Sequence, residues 1–111
     1  MLMRVDRWDA QKDGAISELA MRHKLRALGY EAVAREYPAG AIMSRQSDGR
    51  PRIQAVVTGL IKMTIDNEAA ILSAGDLVFV PAHAVPRVEV LGPRHATCLE
   101  GVLPPPPSAL L

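Results

Sequence analysis

Residues Gly75 to Ala82 read GDLVFVPA: an apolar run, Leu77 to Val80, held between a glycine and a proline, which are the start and stop signals of a short strand. The same texture extends outward from it. From Tyr30 onward, short apolar or alternating segments recur between Gly, Pro or Asp, and none keeps a helical period. The pattern predicts eight strands: Ala32 to Tyr37, Ala41 to Gln46, Arg52 to Thr58, Leu60 to Asp66, Ala69 to Leu72, Leu77 to Val80, Arg87 to Leu91 and Ala96 to Val102. Asp66-Asn67 reads as a hairpin turn, with Asn as the residue that tolerates positive φ. Before the strands, Asp13 is placed to cap a helix over Gly14 to Leu28. In it Ile16, Leu19, Ala20, His23 and Ala27 recur near the 3.6-residue period, and Gly29 is the stop. Eight short strands with tight turns predict a mainly β chain, a jelly roll or small barrel with one N-terminal helix. The expected organisation is an N-terminal segment over 1–13, one domain over 14–102 and a proline-rich tail over 103–111. Pro104 to Pro107 make that tail a polyproline extension with no donors for a sheet.

Composition narrows the function classes. The chain has 111 residues, and its 13 basic and 12 acidic residues leave a net charge of +1. Such a balance gives no broad electrostatic footprint for a phosphate backbone or an anionic membrane, so neither nucleic acid nor membrane is an expected partner. Charges at Arg4, Asp6, Arg7 and Asp9 interrupt any apolar leader, and no apolar run approaches the roughly eighteen residues of a membrane span. A reducing cytoplasm is the expected compartment. The lone Cys98 has no internal disulfide partner and sits in an apolar stretch, where a core role is expected. At this size roughly a third of the unfolded chain's surface stays exposed, which favours a homodimer, expected through sheet edges and the N-terminal helix.

Laid end to end, the turn residues carry a resemblance. From Gly40, five residues lead to Gln46, then Asp48, then Arg52 after three more, and six more reach Gly59. From Gly75, five residues lead to Pro81, then His83, Pro86 and Val90. This spacing resembles the two motifs of the cupins, G(X)5HXH(X)3,4E(X)6G and G(X)5PXG(X)2H(X)3N. The resemblance covers about residues 14 to 102 and implies a cupin-type double-stranded β-helix. In metal-binding cupins two His and a Glu of the first motif and a His of the second hold a transition metal inside the barrel. Those four places are Gln46, Asp48, Arg52 and Pro86 here. A guanidinium has five donors and no acceptor, and proline has no side-chain ligand, so no metal and no other cofactor is expected.

Strand alternation points Gln46 and Asp48 one way, and Arg52, Gln54 and Val56 the same way on the next strand. By the resemblance that way is inward. The expected pocket sets Ser44, Gln46, Asp48, Arg52 and Gln54 against an apolar wall of Val56, Ile61, Met63, Ile65, Val88 and Val90. An inward arginine needs a counter-charge. Either Asp48 pairs with Arg52 as a cross-link between strands, or Arg52 with Gln46, Gln54 and Ser44 clasps a small anionic or carboxylate ligand. His83 stands at the second glycine of the second motif, a turn position where His tolerates positive φ, and is expected over the barrel mouth. The leading expectation is a binding or structural module without a metal centre. The alternative is a dioxygenase-, isomerase- or decarboxylase-like cupin enzyme, acting through a non-standard metal site at Gln46, Asp48 and His83 or through acid and base groups alone.

Overall fold

A computed structural model describes residues 3–44 and 49–103. In chain order these form β1 (Arg4–Arg7), α1 (Ala10–Asp13), α2 (Glu18–Ala27), β2 (Glu31–Tyr37), β3 (Ile42–Ser44), β4 (Arg52–Thr58), β5 (Leu60–Ile65), β6 (Glu68–Ser73), β7 (Asp76–Val80), β8 (Arg87–Val90) and β9 (Ala96–Val102). The strands make two antiparallel sheets, ordered β1-β7-β4-β9-β2 and β3-β8-β5-β6. From β2 to β9 every connection except the β5–β6 hairpin passes from one sheet to the other, as a jelly roll requires.

Two apolar layers explain the burial pattern. Between the sheets lie Val56, Ile61, Met63, Ile65, Val78, Val88, Val90 and Cys98, so all six residues of the expected apolar wall are interior. On the other face of the five-stranded sheet, Met21 and Leu25 of α2 cover Ile53, Ala55, Leu77 and Leu99. The central strand β4 is therefore buried on both faces, and Ile53 to Val56 are consecutively buried. On β5 burial alternates, Ile61, Met63 and Ile65 in and Leu60 and Lys62 out, because the outer face of its sheet meets solvent.

The turn glycines do what their spacing suggested. Gly59 has φ +92°, and a Cβ there would lie 2.7 Å from the Ala96 Cα. It sits beside the register shift at Val56/Thr58, where β4 bends against β9. Gly75, φ +94°, leaves room for the Trp8 side chain, 2.9 Å from where its Cβ would be.

Several expectations need correction. The helix starts at Glu18, not Gly14, because Ser17 caps it: Ser17 Oγ accepts from Ala20 N at 3.0 Å. Asp13 instead ends the short α1, after which Gly14 turns the chain at φ 79°, and Asp13 Oδ2 accepts from Lys24 Nζ at 2.7 Å. The buried face is Met21 and Leu25, while Leu19 is 64% exposed and His23 is exposed. Both stripes fit a helical period, and packing on β4, β7 and β9 selects one. In the β5–β6 turn the positive φ falls on Asp66 (54°), whose Asx side chain tolerates it as Asn would. A ninth strand, β1, lies within the segment expected to precede the barrel. It is short, charged and at an edge, so it shows no alternation to read. It pairs with β7, and Arg7 Nη1 donates to both oxygens of the buried Asp76 at 2.9 and 3.0 Å.

Candidate functional site

The inner face of the five-stranded sheet carries a polar row near one end of β4. Val56 is in the interior layer, so Gln54 and Arg52, two and four residues earlier, also face inward. Arg52 pairs in register with Val80 of β7 and Val102 of β9, and Gln54 with Val78 and Glu100. On the far side of β9, Glu100 pairs with Val33 of β2 and Cys98 with Arg35. Arg52, Gln54 and Glu100 therefore sit above an apolar floor of Val56, Val78 and Cys98, with Arg35 at the flank.

Burial sets the electrostatics of this row. Glu100 is half-buried, and loss of solvent pushes its carboxyl from the ordinary 4.5 up to about 7, against the pull of the Arg35 guanidinium. Burial likewise pushes the Cys98 thiol up to about 11, the nearby Gln54 amide opposing weakly. Gln54 is 6% exposed, and beyond its weak contact with Cys98 its Nε2 meets no acceptor among the described residues.

Two cavities meet at Arg52 and Val80. The smaller, about 20 Å³, is lined by Arg52, Gln54, Glu100 and Pro86 and has room for about one water. The larger, about 260 Å³, opens at the ends of the strands and has Arg4, Arg52, Glu68, Tyr30, Ile65 and Phe79 among its walls. Its aromatic side is ordered: Tyr30 and Phe79 meet edge to face at 6.5 Å, and the Arg4 guanidinium lies over Phe79 at 4.0 Å. Glu68 Oε2 accepts from Met3 N at 2.6 Å.

Of the residues the sequence marked out, Arg52 and Gln54 come together on the inner face of β4. Ser44 does not join them. It lies on β3 opposite in phase to Met43, which packs on the core, so Ser44 is exposed on the outer face. The expected inward phase fails because a strand of three residues carries too little alternation to set it. Gln46 and Asp48 fall outside the described residues, and the expected Asp48–Arg52 pair with them. His83 has φ 68°, as its turn position suggested, but it is exposed and lines neither cavity, and its Cε1 is 3.0 Å from a Cβ built at Gly49. Pro86 is buried and lines the small cavity. No cluster of His, Cys, Asp and Glu able to hold a metal ion occurs among the described residues.

Glu100 is the residue the sequence reading missed, and it had a signal. Within Ala96 to Val102 the inward phase is Ala96, Cys98, Glu100 and Val102, a carboxylate in an otherwise apolar set. Arg4 and Glu68 had none, since the cavity joins segments far apart in sequence.

The architecture defines a small antiparallel jelly-roll barrel with a polar row at its mouth. That fold is the cupin fold. The chain superposes on AerE from Microcystis aeruginosa with a TM-score of 0.62 at 17% identity, covering 68% of this chain and 36% of that one. It matches the Schizosaccharomyces pombe Cnp3 cupin domain with a TM-score of 0.63 at 17% identity, covering 69% and 54%. An RmlC-like cupin from Shewanella frigidimarina gives a TM-score of 0.60 at 22% identity, covering 73% and 71%. The chain thus spans about a third of AerE and about half of the Cnp3 domain chain. No family model and no curated protein matches it by sequence. Among the described residues no helix is long and apolar enough to cross a membrane.

Proposed function

We propose that the chain is a small-molecule-binding cupin-like module that takes an anionic or carboxylate ligand at the barrel mouth without a metal centre. The observation that carries this reading is the inward Gln54 amide, nine-tenths buried with a donor unused by the described residues, beside the Arg52 guanidinium at the junction of the two cavities. A guanidinium takes a carboxylate through two parallel bonds, and an amide donor next to it adds a third. The wall of Ile65, Phe79 and Val80 accepts an apolar remainder, and about 260 Å³ suits a metabolite smaller than most drug-sized ligands.

The chemistry of the donor set supports the metal-free form. At two of the four positions that hold the metal in metal-binding cupins, this chain has Arg52 and Pro86, both against the small cavity. Neither offers a lone pair, and the guanidinium repels a cation beside it. The residues therefore do not fit the family's metal. A second reading, a metal-free acid–base enzyme, is favoured by Glu100, a carboxyl poised near neutrality inside a cavity.

A thermal-shift screen of carboxylate metabolites tests the binding reading: the wild type gains stability with a ligand and Arg52→Met does not. A ligand that stabilises both proteins equally refutes the clasp. Near-equimolar iron, manganese, nickel or zinc in protein purified without a histidine tag would overturn the metal-free form. Conversion of a ligand that the screen identifies, lost in Glu100→Gln, would establish the enzyme reading.

A further inference from the structure

Among the described residues, the longest edge strand suits a second copy of the same chain. β2, seven residues over Glu31–Tyr37, ends the five-stranded sheet, and one of its sides bonds to β9. Which backbone groups face the free side follows from two contacts. Glu31 O lies toward β9, 3.4 Å from a Cβ built at Gly101, whereas Ala32 O accepts from Arg22 Nη1 of α2 at 3.2 Å. With a period of two, Ala32, Ala34 and Glu36 present their N–H and C=O groups to the open edge.

An edge of this length invites pairing unless its charges forbid it. The charges of β2 favour one arrangement. When two copies pair antiparallel about a twofold axis through a continuous sheet, residues on the same face lie opposite each other. Centred on Val33, this pairing sets Glu31 opposite Arg35 of the second copy, and Arg35 opposite its Glu31. Centring on Arg35 sets like charges face to face, and centring on Ala32 or Ala34 leaves Glu31 and Arg35 opposite uncharged residues. In the Val33-centred register Ala32 and Ala34 exchange both backbone hydrogen bonds across the axis. Glu31, Val33 and Arg35 then occupy the closer, non-hydrogen-bonded pairs, where cross-strand side chains interact most. Val33 is 52% exposed in the single chain, and Glu31 and Arg35 are exposed.

The outer face agrees. Arg22 and Arg26 of α2 line an open cavity of about 500 Å³ with Tyr30, Glu31 and Ala32. The same register brings Glu36 of the second copy opposite Tyr30, beside those two arginines. Arg22, now on the Ala32 carbonyl and 3.6 Å from Glu18 Oε2, is placed to turn to it as Ala34 of the second copy takes over that carbonyl.

We propose that two copies of this chain associate by antiparallel pairing of their β2 edges about Val33, joining the two five-stranded sheets into one. The test is the oligomeric state of the full chain by sedimentation and light scattering, with circular dichroism to confirm folding. The wild type is a dimer. Arg35→Glu and Glu31→Arg each convert two attractive pairs into two repulsive ones and weaken dimerisation about thirtyfold. Mixed in equal amounts, the two variants form a one-to-one heterodimer, because one copy then brings two basic side chains to this face and the other brings two acidic ones opposite them. Val33→Lys, which sets two ammonium groups at the axis, gives the same loss from a position that carries no charge in the wild type. A monomeric wild type, variants that stay dimeric, or a mixture that stays monomeric would each overturn the proposal.

Discussion

Replacing Glu100 by Gln removes the interior carboxyl while keeping its shape and a hydrogen-bonding amide, and its effect on stability follows from the position on β9. Burial raises the carboxyl from 4.5 to about 7. Between those values the unfolded chain binds fewer protons at this site than the folded one, so stability falls as pH rises through that window. Below about 4.5 the group is protonated in both states and contributes nothing. Above about 7 it is ionised in both, and the full penalty for burying the charge applies. A shift of this size corresponds to about 3 kcal/mol at 1.36 kcal/mol per unit. Because Glu100 is only half-buried, solvent screening reduces this to about 1–2 kcal/mol. Urea unfolding of wild type and Glu100→Gln, repeated across the window and above it, gives the difference directly. Groups common to both proteins cancel in the difference. The two curves should coincide on the acid side and separate by about 1–2 kcal/mol in favour of the variant on the alkaline side. Parallel curves would show that Glu100 is solvated in the folded chain, and the account of the barrel mouth as a desolvated polar row would fail.

Other expectations test the frame around that row. Gly59→Ala combines a positive φ of 92° with a Cβ 2.7 Å from the Ala96 Cα, and should cost about 2–4 kcal/mol in urea unfolding; a loss below about 1 kcal/mol refutes the close approach of the two strands. Asp76→Ala removes the acceptor of Ser73 N at 2.9 Å and of Arg7, and should cost about 1–3 kcal/mol and hasten amide exchange in β1 more than in β4. Exchange that rises equally in both strands would mean that the pair does not anchor β1. Cys98, fully buried with its thiol pushed up to about 11, should react with a thiol reagent only at the rate of unfolding. Fast labelling of native protein would place it outside the core.

What could be read along the chain was whatever depends on neighbours in sequence. The glycines and prolines marked the strand ends because a positive φ or a missing N–H is a property of the residue itself. Leu77 to Val80 and Arg52 to Thr58 were legible as strands for the same reason, and the fixed intervals from Gly40 to Gly59 and from Gly75 to Pro81 carried the resemblance to the cupins. Alternation on β4 placed Arg52 and Gln54 on one face with Val56. It failed for Ser44, since β3 is three residues long, and for α2, where two stripes satisfy the same helical period.

By itself, then, the sequence determined a mainly β barrel of short strands and the inward phase of its central strand, since backbone stereochemistry and side-chain period are local. Only the tertiary structure decided which stripe of α2 is buried, that Arg4–Arg7 completes a sheet, and that Glu100 and Arg35 complete the polar row. Those results depend on contacts between segments tens of residues apart. Burial and the field of distant charges, which set the Glu100 carboxyl near neutrality, exist only once those segments have met.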